Sequence, residues 1–266
     1  MTDWNPEQYL KFERERTQPA YDLLNRIPLA DPKNIIDIGC GPGNSTNVIQ
    51  SFFPNAKIIG IDNSKNMIET AKKEYPQLDF KLCDVTTDLH TINEKYDIVF
   101  SNACIQWVPE HEKIIPRLFS LVKEGGVLAV QTPMNFHEPI HNIIQEVSWK
   151  EQWKGYFSYR RKIHNLMEEE YFDLLSTCTD SFEMWKTTYF YRMQDYKGLL
   201  EYCRTTGLRP FLDQLPDEQK QKFLQEIYEL LPSEYGIQKN GEVISKCPRF
   251  FFIAKNTVKA KKEGSI

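Results

Sequence analysis

Residues 35–43 read Ile-Ile-Asp-Ile-Gly-Cys-Gly-Pro-Gly, and a second acidic signal, Ile59-Gly60-Ile61-Asp62, follows about one βαβ half-unit later. Gly39, Gly41 and Gly43 let the backbone turn sharply and approach a ligand with no Cβ in the way. An acidic side chain at the tip of a second strand is placed to accept both hydroxyls of a ribose. The spacing narrows the nucleoside. A dinucleotide fingerprint reads G-x-G-x-x-G and rests pyrophosphate on a helix N-terminus. Here the pattern is G-x-G-x-G with Asp37 just ahead of it. A carboxylate repels a phosphate and attracts an α-ammonium. S-adenosylmethionine carries that ammonium, an adenosine ribose and no phosphate.

The elements that position these groups follow from the pattern. Residues 34–38 are short and β-branched, as a buried parallel strand should be. Asn44 and Ser45 are good N-caps for a helix running to about Phe53. Residues 56–61 form a second strand ended by Asp62. A third, 79–85, closes with Cys83-Asp84-Val85, where an acid can bond the adenine amine and an apolar neighbour can pack on its ring. Met67 is a further candidate for the adenine, although a core methionine reads the same way. A fourth strand, 96–103, ends in small polar residues at the mouth of the sheet, and a fifth, 125–132, follows a glycine turn. This ordered set resembles the class I S-adenosylmethionine-dependent methyltransferases. The resemblance implies an α/β, Rossmann-like fold. Its seven-stranded sheet is mostly parallel, with an antiparallel last strand and a helical cap over the carboxyl edge. It also implies that Asn102 meets the methionine part of the cofactor, that S-adenosylhomocysteine is the product, and that no metal takes part.

Along the chain, residues 1–33 read as an N-terminal helical segment and 34–133 as the cofactor-binding core. Alternation of strand and helix over the core argues a parallel sheet covered on both faces. Residues 134–181 break the alternation; their helix-prone stretches, 141–153 and 159–175, read as a lid inserted over the sheet. Residues 182–255 return to the sheet: a strand over 182–193, helices over 195–206 and 216–231, and a last strand over 242–255. Residues 256–266, rich in lysine, read as a frayed tail.

Composition excludes several classes. With 41% hydrophobic and 13% aromatic residues a full core can be built, and a net charge of −4 gives no case for nucleic acid or an anionic membrane as partner. No apolar run reaches the ~20 residues that span a bilayer, and the polar start is no signal peptide. The six cysteines lack a C-x-x-C pair and read as small buried hydrophobes of a reducing cytoplasm. A monomer or weak homo-oligomer is expected. His137-Glu138-Pro139-Ile140-His141 satisfies H-E-x-x-H, but Pro139 belongs at the first position of a helix. That leaves His137 outside the helix and breaks the zinc geometry.

A closer resemblance rests on Asp3-Trp4-Asn5-Pro6, Tyr9-Leu10-x-Phe12, Glu15-Arg16 and Asn102-Ala103-x-x-Gln106-Trp107, and in the second half on Trp185-Lys186-Thr187-Thr188-Tyr189, Thr206-Gly207-Leu208-Arg209-Pro210 and Pro248-Arg249-x-Phe251. These are similar to the trans-aconitate 2-methyltransferase family over about residues 3–255. The acceptor implied is a small anionic polycarboxylate, esterified on one carboxylate. Such a nucleophile is already an anion, so no general acid or base is required. The work is alignment and exclusion of water. By this resemblance Tyr9 and Arg16 cover the cofactor from the N-terminal helix, and Gln106 and Trp107 face the reacting methyl. Arginine suits a carboxylate through its two-pronged fork, and Arg209 and Arg249 lead that set. Arg160, Arg161 and Arg192 follow, with Tyr189 and Tyr191 as hydroxyl donors. Another carboxyl acceptor, including a malonyl carrier-protein thioester, and a non-catalytic S-adenosylmethionine sensor stay open.

Overall fold

A computed structural model describes residues 13–158, 163–204 and 206–257, with the side chains of 13–16 excepted. In chain order the elements are α1 (Glu13–Leu24), β1 (Asn34–Ile38), α2 (Asn44–Phe52), β2 (Lys57–Asp62), α3 (Lys65–Glu74), β3 (Asp79–Leu82), β4 (Tyr96–Asn102), α4 (His111–Ser120) and β5 (Val122–Pro133). They continue as α5 (Pro139–Trp149), α6 (Glu151–Lys154), α7 (Glu168–Cys178), β6 (Phe182–Met193), α8 (Tyr196–Arg204), α9 (Arg209–Leu212), α10 (Asp217–Glu234) and β7 (Val243–Lys255).

The seven strands form one sheet in the order β3-β2-β1-β4-β5-β7-β6. The first five run parallel and β7 lies antiparallel between β5 and β6. Strand order reverses between β1 and β4, and a crevice opens at the carboxyl ends of an open sheet at such a point. The strand sequences fit this placement. Ile35, Ile36 and Ile38 of β1 are all buried, because a parallel strand covered on both sides needs a continuous apolar run. On one face Leu23 of α1 and Ile49 of α2 pack on Phe100 and Phe251. On the other, Ile115 of α4 and Leu175 of α7 pack on Val99 and Phe252.

A separate apolar cluster joins α5, α6 and α8 to α10, with Val147, Trp153, Leu199, Phe223 and Ile227 at its centre. This is the helical cap. Its composition differs from the expected lid. The helix expected over 141–153 breaks at Lys150, whose ammonium instead pairs with Glu226 at 3.1 Å. The helix expected over 159–175 starts only at Glu168. Residues 163–167 have no regular structure and stitch the chain to the sheet edge. His164 N donates to Gln106 O at 3.0 Å, and Asn165 Nδ2 donates to Pro133 O at 2.6 Å.

Helix α7 then belongs to the sheet rather than to the cap. Tyr171 is wholly buried, stacks on Phe250 at 5.0 Å between ring centroids, and hydrogen-bonds through its hydroxyl to His111 Nδ1 at 2.8 Å. The Tyr171→Ala variant removes that ring and strands the buried imidazole. The expected loss in denaturant unfolding is ~3–5 kcal/mol. A loss below ~1 kcal/mol would show that α7 is not keyed to the sheet by this residue.

Candidate active site

The loop after β1 adopts left-handed backbone at Gly39, Gly41 and Gly43. A Cβ on Gly39 would fall 2.2 Å from Cys104 Sγ, and one on Gly43 would fall 2.7 Å from the Tyr75 ring. Gly43, not Asn44, occupies the N-cap of α2, because its φ of 95° is open to glycine and strained for asparagine. Asn44 is the first helical residue and is buried.

Asp37, fully buried on β1, accepts Ser45 Oγ at 2.6 Å and Thr46 Oγ1 at 2.7 Å on one oxygen. Its other oxygen, Oδ1, has no hydrogen-bond partner among the described residues. Burial pushes its carboxyl up to about 6; the two hydroxyls oppose this and the charge of Asp62 adds to it. Asp62, at the tip of β2, accepts Gly41 N at 3.0 Å and Ser64 N at 2.8 Å, which fixes both the glycine loop and the start of α3. Strand β3 ends at Leu82, so Cys83-Asp84-Val85 forms a turn beyond it rather than its last residues. Asp84 organises that turn by accepting Thr86 N at 2.8 Å and Thr86 Oγ1 at 2.6 Å. Asn102 ends β4, and Ala103 next to it has φ of 53°, held by a bond from its N–H to Gln131 O at 3.0 Å. Gln106 is buried and donates to Ala103 O at 2.7 Å.

One cavity of about 850 Å³ runs from the glycine loop, Asp62 and Asp84 to the cap; Asp37, Gly43, Asn44 and Asn102 are not among its lining residues. Gly39, Gly41, Asp62, Met67, Asp84 and Val85 line one half. The wall continues past Cys104, Gln106 and Trp107 to His141, Tyr202, Thr206, Gly207, Phe211 and Arg249. That volume is near the upper end for a single ligand and suits two small reactants end to end.

The arginines divide sharply. Arg249 of β7 lines the cavity and is 5% exposed. Its Nε has no hydrogen-bond partner among the described residues, and the groups acting on it are Cys247, Tyr191 and Tyr202, with no acid among them. Burial works against its charge, the thiol and phenols favour it, and the guanidinium stays protonated with its pKa raised. Arg209, at the start of α9, precedes the cavity-lining Pro210 and Phe211, with its Nε 3.5 Å from Asp213. The structure does not bring Arg192 to the cavity: it is exposed and forked onto Glu242 with two contacts of 2.8 Å. Tyr189 turns away to bond Asp22 of α1, whereas Tyr191 is buried and bonds Arg249. Tyr9, Arg160, Arg161 and the side chain of Arg16 lie outside the described residues.

Glu138 is the N-cap of α5 and Pro139 its first residue, so His137 is off the helix and the H-E-x-x-H spelling forms no ligand pair. His141 nevertheless lines the cavity, as do Tyr202 and Gly207, and the sequence reading assigned none of the three a role. The only signal was the short likeness at Thr206-Gly207.

The glycine loop, three acids at successive strand ends and this sheet order define a class I S-adenosylmethionine-dependent methyltransferase. The cofactor fits these residues: an unpartnered buried carboxylate oxygen suits its ammonium, and the glycine cradle admits its backbone-close approach. A family model described as "Methyltransferase domain" matches residues 29–198. The fold is shared with the YcgJ protein of Bacillus subtilis (TM-score 0.59, 11% identity, 91% of this chain and 99% of that one). It is shared also with a phosphoethanolamine N-methyltransferase of Haemonchus contortus (TM-score 0.55, 20% identity, 90% and 52%). Sequence relatives are closer. The trans-aconitate 2-methyltransferases of Methylobacterium radiotolerans and Variovorax paradoxus are 40% and 38% identical, each over 96% of this chain and 99% of the relative. That of Escherichia coli K12 is 37% identical over the same shares. The chain belongs to the trans-aconitate 2-methyltransferase family.

Two outcomes follow from the acids. The Asp62→Ala variant removes the brace on Gly41 and the carboxylate expected to meet the ribose, and is expected to raise the cofactor dissociation constant at least ~10-fold, about 1.4 kcal/mol; unchanged affinity in a titration would remove Asp62 from the site. Asp37 has a folded-state pKa above the unfolded one, so its stability contribution is present below about 3.8 and lost as pH rises through about 6. The Asp37→Asn variant is therefore expected to melt higher than wild type above pH ~7 without cofactor, and to lose the stabilisation that cofactor gives wild type.

Proposed function

We propose that the protein transfers the methyl group of S-adenosylmethionine to one carboxylate of trans-aconitate, giving the monomethyl ester and S-adenosylhomocysteine. When bound, the cofactor supplies an electrophilic methyl on a sulfonium sulfur. Everything else asked of the chain is binding, alignment and exclusion of water. Asp62 takes the ribose hydroxyls, Asp84, Val85 and Met67 the adenine, and Asp37, Gly39, Gly41, Gly43, Asn44 and Asn102 the methionine end. Arg16 and Tyr9 cover the cofactor from the N-terminal segment. Gln106 and Trp107 flank the reacting methyl. Arg249 grips a carboxylate that is not methylated, with Tyr191 steadying the guanidinium. Arg209, braced by Asp213, holds the wall formed by Pro210 and Phe211. Arg160 and Arg161 are further carboxylate donors from the segment that precedes α7. Residues 139–158 and helices α8 to α10 act as the cap over the reactants.

The observation that carries this reading is Arg249. A permanently charged side chain is buried in the cofactor's own cavity, and among the described residues no carboxylate answers it. Burying a charge costs several kcal/mol unless it is paired, and a polycarboxylate supplies the pair. The acceptor oxygen is an anion at neutral pH, which agrees with a cavity whose one described histidine is neutral and makes no hydrogen bond through its ring. Among the described residues no helix is long and apolar enough to cross a membrane. With six cysteines and no disulfide among the described residues, a cytoplasmic site of action is in keeping.

Methyl transfer from labelled S-adenosylmethionine to a panel of trans-aconitate, cis-aconitate, citrate, isopropylmalate and a malonyl carrier protein tests the reading. The expected product is a monomethyl ester, formed fastest from trans-aconitate. Turnover of another member alone would move the acceptor, and no turnover with cofactor bound would overturn the enzyme. Arg249→Lys keeps the charge and loses the fork. It is expected to raise the KM for the acid ~10-fold or more with cofactor affinity unchanged. An unaltered KM would place the carboxylate clamp elsewhere.

A further inference from the structure

The cavity's cap side holds a second polar group that the reaction as drawn does not use. His141 is the third residue of α5 and lines the cavity that Arg249 also lines. Its ring is fitted against Gly207: a Cβ there would come within 2.7 Å of Cε1 and 2.9 Å of Nδ1, so the glycine is what admits the imidazole. No hydrogen bond among the described residues reaches either ring nitrogen, and burial is the only influence on its titration, holding its pKa down to about 4. The free N–H groups of the helix start are not what the cavity offers. Pro139 has none, Ile140 N donates to Tyr235 Oη at 3.1 Å, and His141 N donates to Glu138 O at 2.9 Å. Of the α5 side chains that line the cavity, Gln145 offers a neutral amide and His141 is the one that can take up a proton.

Resting on the acid acceptor proposed above, we propose that His141 is the second anchor of the polycarboxylate: it takes up a proton as the acid enters and, with Arg249, neutralises the carboxylates that are not methylated. Among the described residues that line the cavity Arg249 is the one fixed cation, and a carboxylate within hydrogen-bonding reach of an imidazole favours the imidazolium. The imidazole stays neutral while the cavity is without an acid, which avoids a second buried charge in the resting protein. Once one carboxylate has become an ester, the anion loses a charge, the proton is held less tightly, and release of the product is eased.

The other titratable groups around His141 are an acid, a thiol, a phenol and two arginines. On its own helix, Glu138 has its carboxyl raised by burial, with Lys246 opposing. On α8, burial pushes the Cys203 thiol up to about 12. The Tyr235 phenol beyond α10 is raised by burial, Arg249 of β7 stays charged, and Arg209 is paired with Asp213 on α9. Glu138, whose pKa moves toward neutrality, is the control.

The test is calorimetric titration of the S-adenosylhomocysteine-loaded protein with trans-aconitate at neutral pH, in two buffers of different ionisation enthalpy. Wild type is expected to take up about one proton per acid bound at neutral pH, with affinity falling ~10-fold per pH unit between the free imidazole's pKa of about 4 and the higher pKa it acquires in the complex. His141→Asn should bind the acid at least ~10-fold more weakly, take up no proton, and lose the pH slope. Glu138→Gln should keep the uptake. Binding by wild type without proton uptake, or uptake unchanged in His141→Asn, overturns the inference while leaving the acceptor assignment intact. If His141→Asn fails to fold, the wild-type uptake still decides. No binding of trans-aconitate by any variant would overturn the acceptor assignment, and this inference with it.

Discussion

A positive charge sunk in the sheet is the constraint on which the acceptor half of the molecule depends. Arg249 lies on β7 opposite Pro133 of β5 and Thr187 of β6, followed directly by the buried Phe250, Phe251 and Phe252. A side chain on a central strand cannot carry its charge out to water as a long side chain at a helix end does. Tyr191 and Tyr202 surround it with phenols rather than carboxylates. Replacing such a charge by an apolar side chain is often neutral or stabilising in proteins, so its presence makes sense only if something else compensates it. The antiparallel placement of β7, the break at residues 163–167 and the closing of α5 over the carboxyl edge together put that charge at the far end of the cofactor's cavity.

The cofactor half works by an opposite arrangement of charge. Asp37, Asp62 and Asp84 stand at the ends of β1 and β2 and just beyond β3, each using backbone or hydroxyl donors to hold its own loop. Asp37 is the costly one, with an oxygen that no described donor reaches. In the proposed function, an ammonium on the ligand relieves it as a carboxylate on the acid relieves Arg249. In that reading each reactant completes an electrostatic deficit of the protein.

This half was legible in the sequence because its determinants are local. A β-branched run, alternate glycines and an acid at a strand tip state both their element and their chemistry within ten residues, and the topology follows from alternation. The errors there were small: the N-cap at Gly43 rather than Asn44, because a left-handed φ outweighs side-chain capping, and the turn at residues 83–85. The cap was less legible. Its helices share an ordinary amphipathic pattern, so nothing local separates α7, which serves the sheet through Tyr171, from α5, which serves the cap. Arg192, Arg209 and Arg249 are equally basic on paper. Only tertiary contacts reveal that the first is forked onto Glu242, the second leans on Asp213 and the third is buried without an acid. His141 was hidden for the same reason, since its significance comes from Gly207, which lies sixty-six positions away.

The most direct test of the central claim is a pair of thermal melts, wild type and Arg249→Met, with and without trans-aconitate in the presence of S-adenosylhomocysteine. If the buried charge is uncompensated until the acid arrives, Arg249→Met melts at or above wild type without acid, and only wild type gains stability when the acid is added. A variant that melts well below wild type without acid, or that still gains the full stabilisation from it, would mean that Arg249 is a structural residue and that the acid is held by other groups.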